Sequence, residues 1–248
     1  MSSSAQSVEN HLNEGDLRYA SFDTEGAIKH YIKAFESGEE NADVLIRLAR
    51  AWNDAANDLK SEGHDEEARR AVKNALKFAE LLTVNFPSRA ESWFYRAAAT
   101  GNLAVFSKGR TKVKIGRKVE EYSLRAIKLD SAYALPHIAL GMYYREVANL
   151  NRLQRIVANR LLGGLPSRPS ERALKHLERA VSLNPSLPVA HYQLAKTREA
   201  LGLRHKANPH FIAAYSLPPM NSRDRRNAAT ARKIVREYAG QRVSTISS

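Results

Sequence analysis

The stretch that decides the fold is PVAHYQLAKTREALGLRHKANPHFIAAYSLPP, Pro188 to Pro219. Leucine, alanine and phenylalanine occur in it at helical packing positions, at Leu194, Ala195, Ala207, Phe211 and Ala214. Gly202 lies between the two halves, where a tight turn is needed, and Pro219 ends the unit. Small residues let two helices approach closely, and the aromatic ring fills the layer between them. The stretch therefore predicts a helical hairpin.

The same pattern recurs upstream, at a spacing typical of the tetratricopeptide repeat of about 34 residues. The residues that carry it are Gly15, Ala27, Tyr31 and Ala34 in a first hairpin, Ala56, Ala68, Val72 and Ala75 in a second, Ala126 in a third, and Leu140, Gly141, Tyr144, Ala173, Leu177 and Ala180 in a fourth. A last segment, SRDRRNAATARKIVREYAG, has an apolar face that suits a capping helix. The sequence predicts an all-α, tetratricopeptide-like solenoid of about five helical hairpins over residues 8–240. Disordered termini are expected at 1–7 and 241–248.

The fourth hairpin is predicted to be extended and interrupted. About twenty residues from Arg145 continue its first helix, and GGLPSRPS then breaks it before the partner helix begins. An apolar stripe runs along this extension, at Val147, Leu150, Leu153, Val157 and Leu161. It could pack on its own solenoid, cover the concave groove, or lie on a membrane with its arginines toward phosphates. Packing on the solenoid is the favoured interpretation, because leucines cluster beside the turn.

Charge is distributed unevenly along the chain. The formal net charge is +13, but residues 1–100 carry 17 acidic and 12 basic side chains, whereas the remainder carries 9 acidic and 27 basic ones. Such a field steers the basic part toward acidic partners: nucleic acid, anionic lipid or an acidic protein surface such as the tubulin tails. Charge alone does not choose among these partners.

Several classes of function are disfavoured by composition. The chain has no cysteine, so it has no disulfide framework, thiolate nucleophile or cysteine-containing zinc site. Its eight histidines include no metalloprotease pattern, and no phosphate-cradling glycine loop occurs. His205 and His210 are interpreted as surface residues. No apolar run reaches the length of a transmembrane helix, and the first residues do not form a secretory signal. We expect a cytoplasmic, non-catalytic protein without a cofactor.

The most basic segment is SKGRTKVKIGRK, Ser107 to Lys118, in which six of twelve residues are lysine or arginine and none is acidic. We interpret it as an interhelical loop that is either simply solvated or a landing patch for an acidic surface. The candidate contact residues are Lys108, Arg110, Lys112, Lys114, Arg117 and Lys118, with Arg223, Arg225, Arg226, Arg232 and Arg236 from the C-terminal segment. Interleaved aromatic residues are missing, so single-stranded nucleic acid is not favoured.

Residues from about Lys112 to Leu201 resemble the regulator of microtubule dynamics family of tetratricopeptide proteins. The interrupted repeat carries the resemblance, through Val147, Ala148, Leu150, Arg155, Ile156, Ala158, Leu161 and Pro166. Arg152 departs from the family pattern, which usually has an aromatic residue there, and Pro166 stands alone where the family has two prolines.

The resemblance implies an all-helical cytoplasmic protein that associates with microtubules and spindle poles and helps chromosome segregation. The leading hypothesis is that the basic residues dock on acidic tubulin tails. One branch of the family instead tethers organelles and carries phospholipid in its tetratricopeptide domain. The alternative is therefore a carrier or tether that binds phospholipid or an apolar peptide in its concave groove.

Overall fold

A computed structural model describes residues 3–37 and 41–246, and these residues form α-helices joined by short turns, without a β-strand. The helices are α1 Ser3–Ala20, α2 Thr24–Glu36, α3 Ala42–Ser61, α4 Asp65–Asn85, α5 Ala90–Val105, α6 Gly109–Leu129, α7 Ala134–Ala148, α8 Arg152–Leu162, α9 Pro169–Leu183, α10 Pro188–Ala200, α11 Arg204–Ser216 and α12 Ser222–Ile246.

Neighbouring helices pair into five hairpins, and the pairs are α1 with α2, α3 with α4, α5 with α6, α7 with α9, and α10 with α11. The first helices of successive hairpins also touch one another, as α3, α5, α7 and α10 do in turn. This is the stacking of a tetratricopeptide solenoid, so the predicted fold class is confirmed.

The packing positions read from the sequence are buried. Leu194, Ala195, Ala207, Phe211 and Ala214 all lie in the core of the last hairpin and its neighbours. Gly202 has a φ of +74°, a left-handed conformation that glycine adopts without strain, and it makes the turn between α10 and α11. Asp23 caps α2 by accepting a hydrogen bond of 2.8 Å from the backbone N–H of Gly26.

α12 caps the solenoid and also returns to its beginning. Ala231 is buried against Phe211 and Ala214 of the last hairpin. On α12, Arg226 forms an ion pair of 2.7 Å with Asp58 of α3. The capping helix therefore joins the last hairpin to the second one.

One long helix was predicted from Arg145 through the insertion, and this is wrong. α7 ends at Ala148, and α8 is a separate helix that starts after Asn151. The Asn151 side chain accepts a hydrogen bond from the backbone N–H of Gln154, whose own side chain accepts one from the N–H of Asn151. This capping box satisfies the first amide groups of a new helix, so the chain stops and starts again.

The prediction that Ser107–Lys118 is a loop is also wrong. From Gly109 onward this segment is helical and forms the first turns of α6. Ile115 and Val119 lie one turn apart and are buried, so packing on one side outweighs the loop-like composition.

Helix is described closer to both ends of the chain than the sequence suggested. α1 begins at Ser3 and α12 ends at Ile246, although residues 1–7 and 241–248 were expected to be disordered. The four residues 1, 2, 247 and 248 lie outside the described part of the chain. None of the described helices is both long and apolar enough to span a bilayer.

Candidate docking surface on α6 and α8

The first three turns of α6 present a dense set of cations to solvent. One face of the helix is buried, through Ile115, Val119, Glu120, Ser123 and Ala126. The remaining faces carry six exposed cationic residues, here called the α6 basic surface: Lys108, Arg110, Lys112, Lys114, Arg117 and Lys118. All six were predicted as contact residues, and the structure places them together at the start of one helix.

Most of this charge has no acidic partner. Arg117 forms an ion pair of 2.7 Å with Glu120, which is buried and also accepts a hydrogen bond of 2.8 Å from the Tyr144 hydroxyl. No ion pair is described within residues 3–37 and 41–246 for the other five cations. The α6 basic surface therefore carries a local excess of positive charge.

Three of these cations, Lys108, Arg110 and Lys112, lie in the first turn of α6, where they oppose helix stability. The N-terminus of a helix carries a partial positive charge, which favours acidic residues in the first turn. α4 follows that rule with Asp65, Glu66 and Glu67, whereas the first turn of α6 has no acidic residue. Lys108, at the N-cap position of α6, provides no side-chain capping bond. Helix stability therefore does not favour these residues at the start of α6.

α8 lies against α6 and is held by its inner face. Ala158 is fully buried in that face. The Arg155 guanidinium donates hydrogen bonds of 3.1 Å to the carbonyl of Leu150 and 2.9 Å to the carbonyl of Ala148. Arg155 thus satisfies carbonyl groups left open at the end of α7, and its role is to orient α8.

The opposite face of α8 is apolar and open to solvent. Leu153, Ile156 and Val157 are 71%, 57% and 36% exposed, and the exposed Arg152 and Arg160 flank them. We call these five residues the α8 outer face. Burial of the whole stripe on the solenoid was predicted, and this is wrong for Leu153 and Val157.

The other apolar family-marking residues of this region are buried or partly buried. Val147 is buried at the end of α7, and Ala148, Leu150, Leu161 and Pro166 are partly buried. The stripe is therefore divided between an inner and an outer side, because the chain breaks between α7 and α8.

The arginines of α12 do not join the α6 basic surface. α12 packs against α3, α10 and α11, whereas α6 packs against α5, α7 and α8. Arg223 and Arg226 are partly buried and paired with Asp54 and Asp58, at 3.5 Å and 2.7 Å. These two were predicted to contact a partner, but their charges are already compensated within the fold.

The remaining arginines of the C-terminal set are placed differently. Arg225 lies over the ring of Phe22 at 4.5 Å, and Arg232 lies over the ring of Tyr215 at 5.3 Å. Arg236 is exposed farther along α12. Cation–π contacts leave the charge accessible, so these three residues stay candidates for a partner on a separate part of the molecule.

A polar cluster on α3 was not anticipated from the sequence. Asp54 is only 6% exposed, accepts a hydrogen bond from the Tyr19 hydroxyl, and faces Arg223. Burial raises the pKa of Asp54, while Arg223 and Tyr19 act in the opposite direction. Arg50 lies 4.1 Å from the centre of the Tyr19 ring. The side of α3 that faces α12 is thus polar.

Two histidine pairs lie inside hairpins. The Nδ1 atoms of His137 and His176 are 2.9 Å apart between α7 and α9, and those of His191 and His210 are 2.9 Å apart between α10 and α11. His210 is therefore an interhelical residue and not the surface residue that was predicted, whereas His205 is exposed. Among the described residues, no cluster of three or more His, Asp or Glu side chains is arranged to hold a metal ion.

Known proteins match the sequence of this chain over most of its length. Regulator of microtubule dynamics protein 1 is 27% identical in Bos taurus and 28% identical in Mus musculus, each over 72% of this chain. The matched parts make up 55% and 57% of those relatives, so the chain spans a little over half their length. Regulator of microtubule dynamics protein 3 of Mus musculus is 26% identical over 73% of this chain and 38% of its own length.

A solved structure supports the fold independently. A thermophilic tetratricopeptide protein of Thermus thermophilus superposes with a TM-score of 0.67 at 18% identity, over 90% of this chain and 98% of its own. The family model described as regulator of microtubule dynamics protein 1-3 matches residues 11–239, which include the interrupted hairpin and the α6 basic surface. The chain belongs to the regulator of microtubule dynamics family.

Proposed function

We propose that this protein is a non-catalytic binding protein that associates with microtubules by docking its α6 basic surface on the acidic tails of tubulin. The observation that carries the proposal is the uncompensated positive charge at the start of α6. Five exposed cations lie there without an acidic partner among the described residues, and three of them, Lys108, Arg110 and Lys112, oppose folding at the N-terminal end of the helix.

Family membership supports the choice of partner. The matched family model and the relatives are named for the regulation of microtubule dynamics. An exposed cluster of lysines and arginines complements an acidic protein segment better than it complements an apolar ligand. A tetratricopeptide solenoid presents extended surfaces that suit the binding of partners.

The geometry of α6 suits a short acidic segment. Lys108 and Lys118 are ten residues apart, which corresponds to about 15 Å along a helix. An extended acidic peptide covers that length with about five residues. Each exposed contact contributes about 1 kcal/mol or less, so binding depends on several contacts acting together and weakens with salt.

Co-sedimentation tests the mechanism. The protein should pellet with intact microtubules, and pelleting should fall when the tubulin tails are removed by protease or when the salt concentration rises from about 0.05 to 0.3 M. Unchanged pelleting after tail removal would refute docking on the tails. Pelleting that persists at high salt would refute an electrostatic interface.

We also propose that the protein is located in the cytoplasm on the microtubule cytoskeleton, at the spindle and its poles. Imaging of a fluorescent fusion through mitosis tests this location. Spindle signal that disappears after microtubule depolymerisation is the expected result, and a diffuse signal throughout mitosis would contradict it. Carriage of phospholipid or an apolar peptide remains a prediction of the resemblance, and native mass spectrometry for a stoichiometric ligand tests it.

A further inference from the structure

We propose that the α8 outer face is a docking site for an anionic membrane surface. The site consists of Leu153, Ile156 and Val157 with Arg152 and Arg160. It goes beyond microtubule binding and does not depend on it, because it uses apolar side chains that an acidic tubulin tail does not need.

The apolar side chains of α8 are held outward by the way the helix is attached. Arg155 and Ala158 hold its inner face, so the outer face is fixed in orientation. Three apolar side chains project into solvent within two turns, with Leu153 71% exposed and Ile156 57% exposed. Such exposure means that these side chains protrude from the surface and do not line a groove. The acyl-chain region of a membrane can deform around protruding side chains, whereas a rigid partner helix cannot.

The charge around α8 favours an anionic surface. No acidic residue occurs between Glu146 and Glu171, a segment that contains four arginines. Position 160 lies about 20° from position 153 around a helix, so Arg160 shares the apolar face. Arginine buries its aliphatic stem and keeps its charged group at the level of phosphates. α8 also packs against α6, whose basic surface adds to the positive field.

The turn that follows α8 is made by two exposed glycines. Gly163 adopts a φ of +68°, and a side-chain carbon added at Gly163 or Gly164 would meet no atom within 4 Å. The turn at the end of α8 is therefore open around these two glycines. Apolar side chains together with nearby arginines are features of interfacial helices.

Flotation with vesicles tests the proposal. The full chain should float with vesicles containing about one third phosphatidylserine and not with pure phosphatidylcholine vesicles. Leu153→Ser with Ile156→Ser should weaken flotation by about tenfold or more, because two branched side chains no longer enter the interface. Leu17→Ser with Val84→Ser is the matched control, since both side chains are 68% exposed elsewhere, and it should float like the unmodified protein.

A fluorescence measurement locates the contact independently of binding strength. Because the chain has no cysteine, Leu153→Cys or Leu17→Cys can be labelled at a single position with an environment-sensitive dye. A blue shift on anionic vesicles is expected at position 153 and not at position 17. Failure of the unmodified protein to float with anionic vesicles, or equal shifts at both positions, would overturn the proposal.

Microtubule pelleting separates this proposal from the first one. The Leu153→Ser and Ile156→Ser variant keeps every cation of the α6 basic surface, so its pelleting with microtubules should not change. Loss of pelleting in this variant, without vesicle binding by the unmodified protein, would assign the α8 outer face to a protein partner and overturn membrane docking.

Discussion

Replacing Gly141 with alanine tests which helix completes the interrupted hairpin. Gly141 lies in α7, and a side-chain carbon added there would lie 2.7 Å from Cδ2 and 3.0 Å from Cδ1 of Leu177 in α9, and closer still to its Cγ. Leu177 is completely buried. Neither helix can therefore accept the added methyl group without moving.

The size of the effect follows from two opposing contributions. Overpacking a filled core by one methyl group costs about 1–3 kcal/mol. Alanine in place of glycine stabilises a helix interior by about 1 kcal/mol. The Gly141→Ala variant should therefore lose up to about 2 kcal/mol of the free energy of unfolding. At Gly101 in α5 the added carbon would meet only Val119, at 3.9 Å. Gly101→Ala should therefore gain about 0.5–1 kcal/mol.

Urea unfolding followed by circular dichroism measures both variants. We expect a lower free energy of unfolding for Gly141→Ala than for Gly101→Ala, by about 1–3 kcal/mol. Equal stability of the two variants, or a more stable Gly141→Ala protein, would mean that α7 and α9 do not approach each other as described.

Three further predictions concern α6, the histidine pairs and α12. Lys108→Asp supplies the missing cap of α6 and reverses an unfavourable charge. It should therefore raise the free energy of unfolding by about 1–2 kcal/mol and weaken microtubule binding. If stability and microtubule affinity both rise or both fall, Lys108 does not favour binding at the expense of folding. Burial lowers the pKa of His176 and of His210 to about 4. The unfolded chain then binds more protons between about pH 6.5 and 4, so stability present above pH 6.5 is lost as the pH falls. Urea unfolding at pH 7 and 5 should show a loss of about 1–2 kcal/mol from these half-buried groups, and the His176→Gln and His210→Gln double variant should lose less. Asp58→Ala removes an ion pair between α3 and α12, and should increase hydrogen exchange in α12, whereas Glu171→Ala at an exposed pair should leave it unchanged.

Much of the fold can be predicted from the sequence, because close helix packing restricts the size of the residues at the contact positions. Gly15, Ala27 and Tyr31 show this in the first hairpin, where a side chain at Gly15 would collide with the Tyr31 ring. The repeated combination of small and aromatic residues therefore reveals the hairpins, and Asp23 reveals a helix start through the acceptor that it offers.

Local sequence patterns predict the wrong structure where tertiary contacts determine the conformation of a segment. The segment before Ile115 has the glycine and charge content of a loop, yet packing of Ile115 and Val119 keeps it helical. The break before α8 has a sequence signal, the Asn151 and Gln154 capping box. That signal is hidden because apolar residues continue at helical spacing across it.

The candidate surfaces were only partly predictable. The cations of the α6 basic surface are close together in sequence, so their proximity was expected. Arg223 and Asp54 are far apart in the chain, so no local sequence pattern predicts their ion pair. The direction of the α8 outer face depends on the hydrogen bond between Arg155 of α8 and the carbonyl of Ala148 in α7. Helical spacing in the sequence does not predict this contact.

The most direct test of microtubule docking is the affinity for microtubules after charge reversal on α6. The variant has Lys108, Arg110, Lys112 and Lys114 changed to Glu, and its control has four other exposed lysines changed to Glu, at Lys33, Lys73, Lys77 and Lys175. The net charge changes equally in both proteins. We expect co-sedimentation to weaken about tenfold or more for the α6 variant and much less for the control. Equal affinities for the α6 variant and the control would contradict docking through the α6 basic surface.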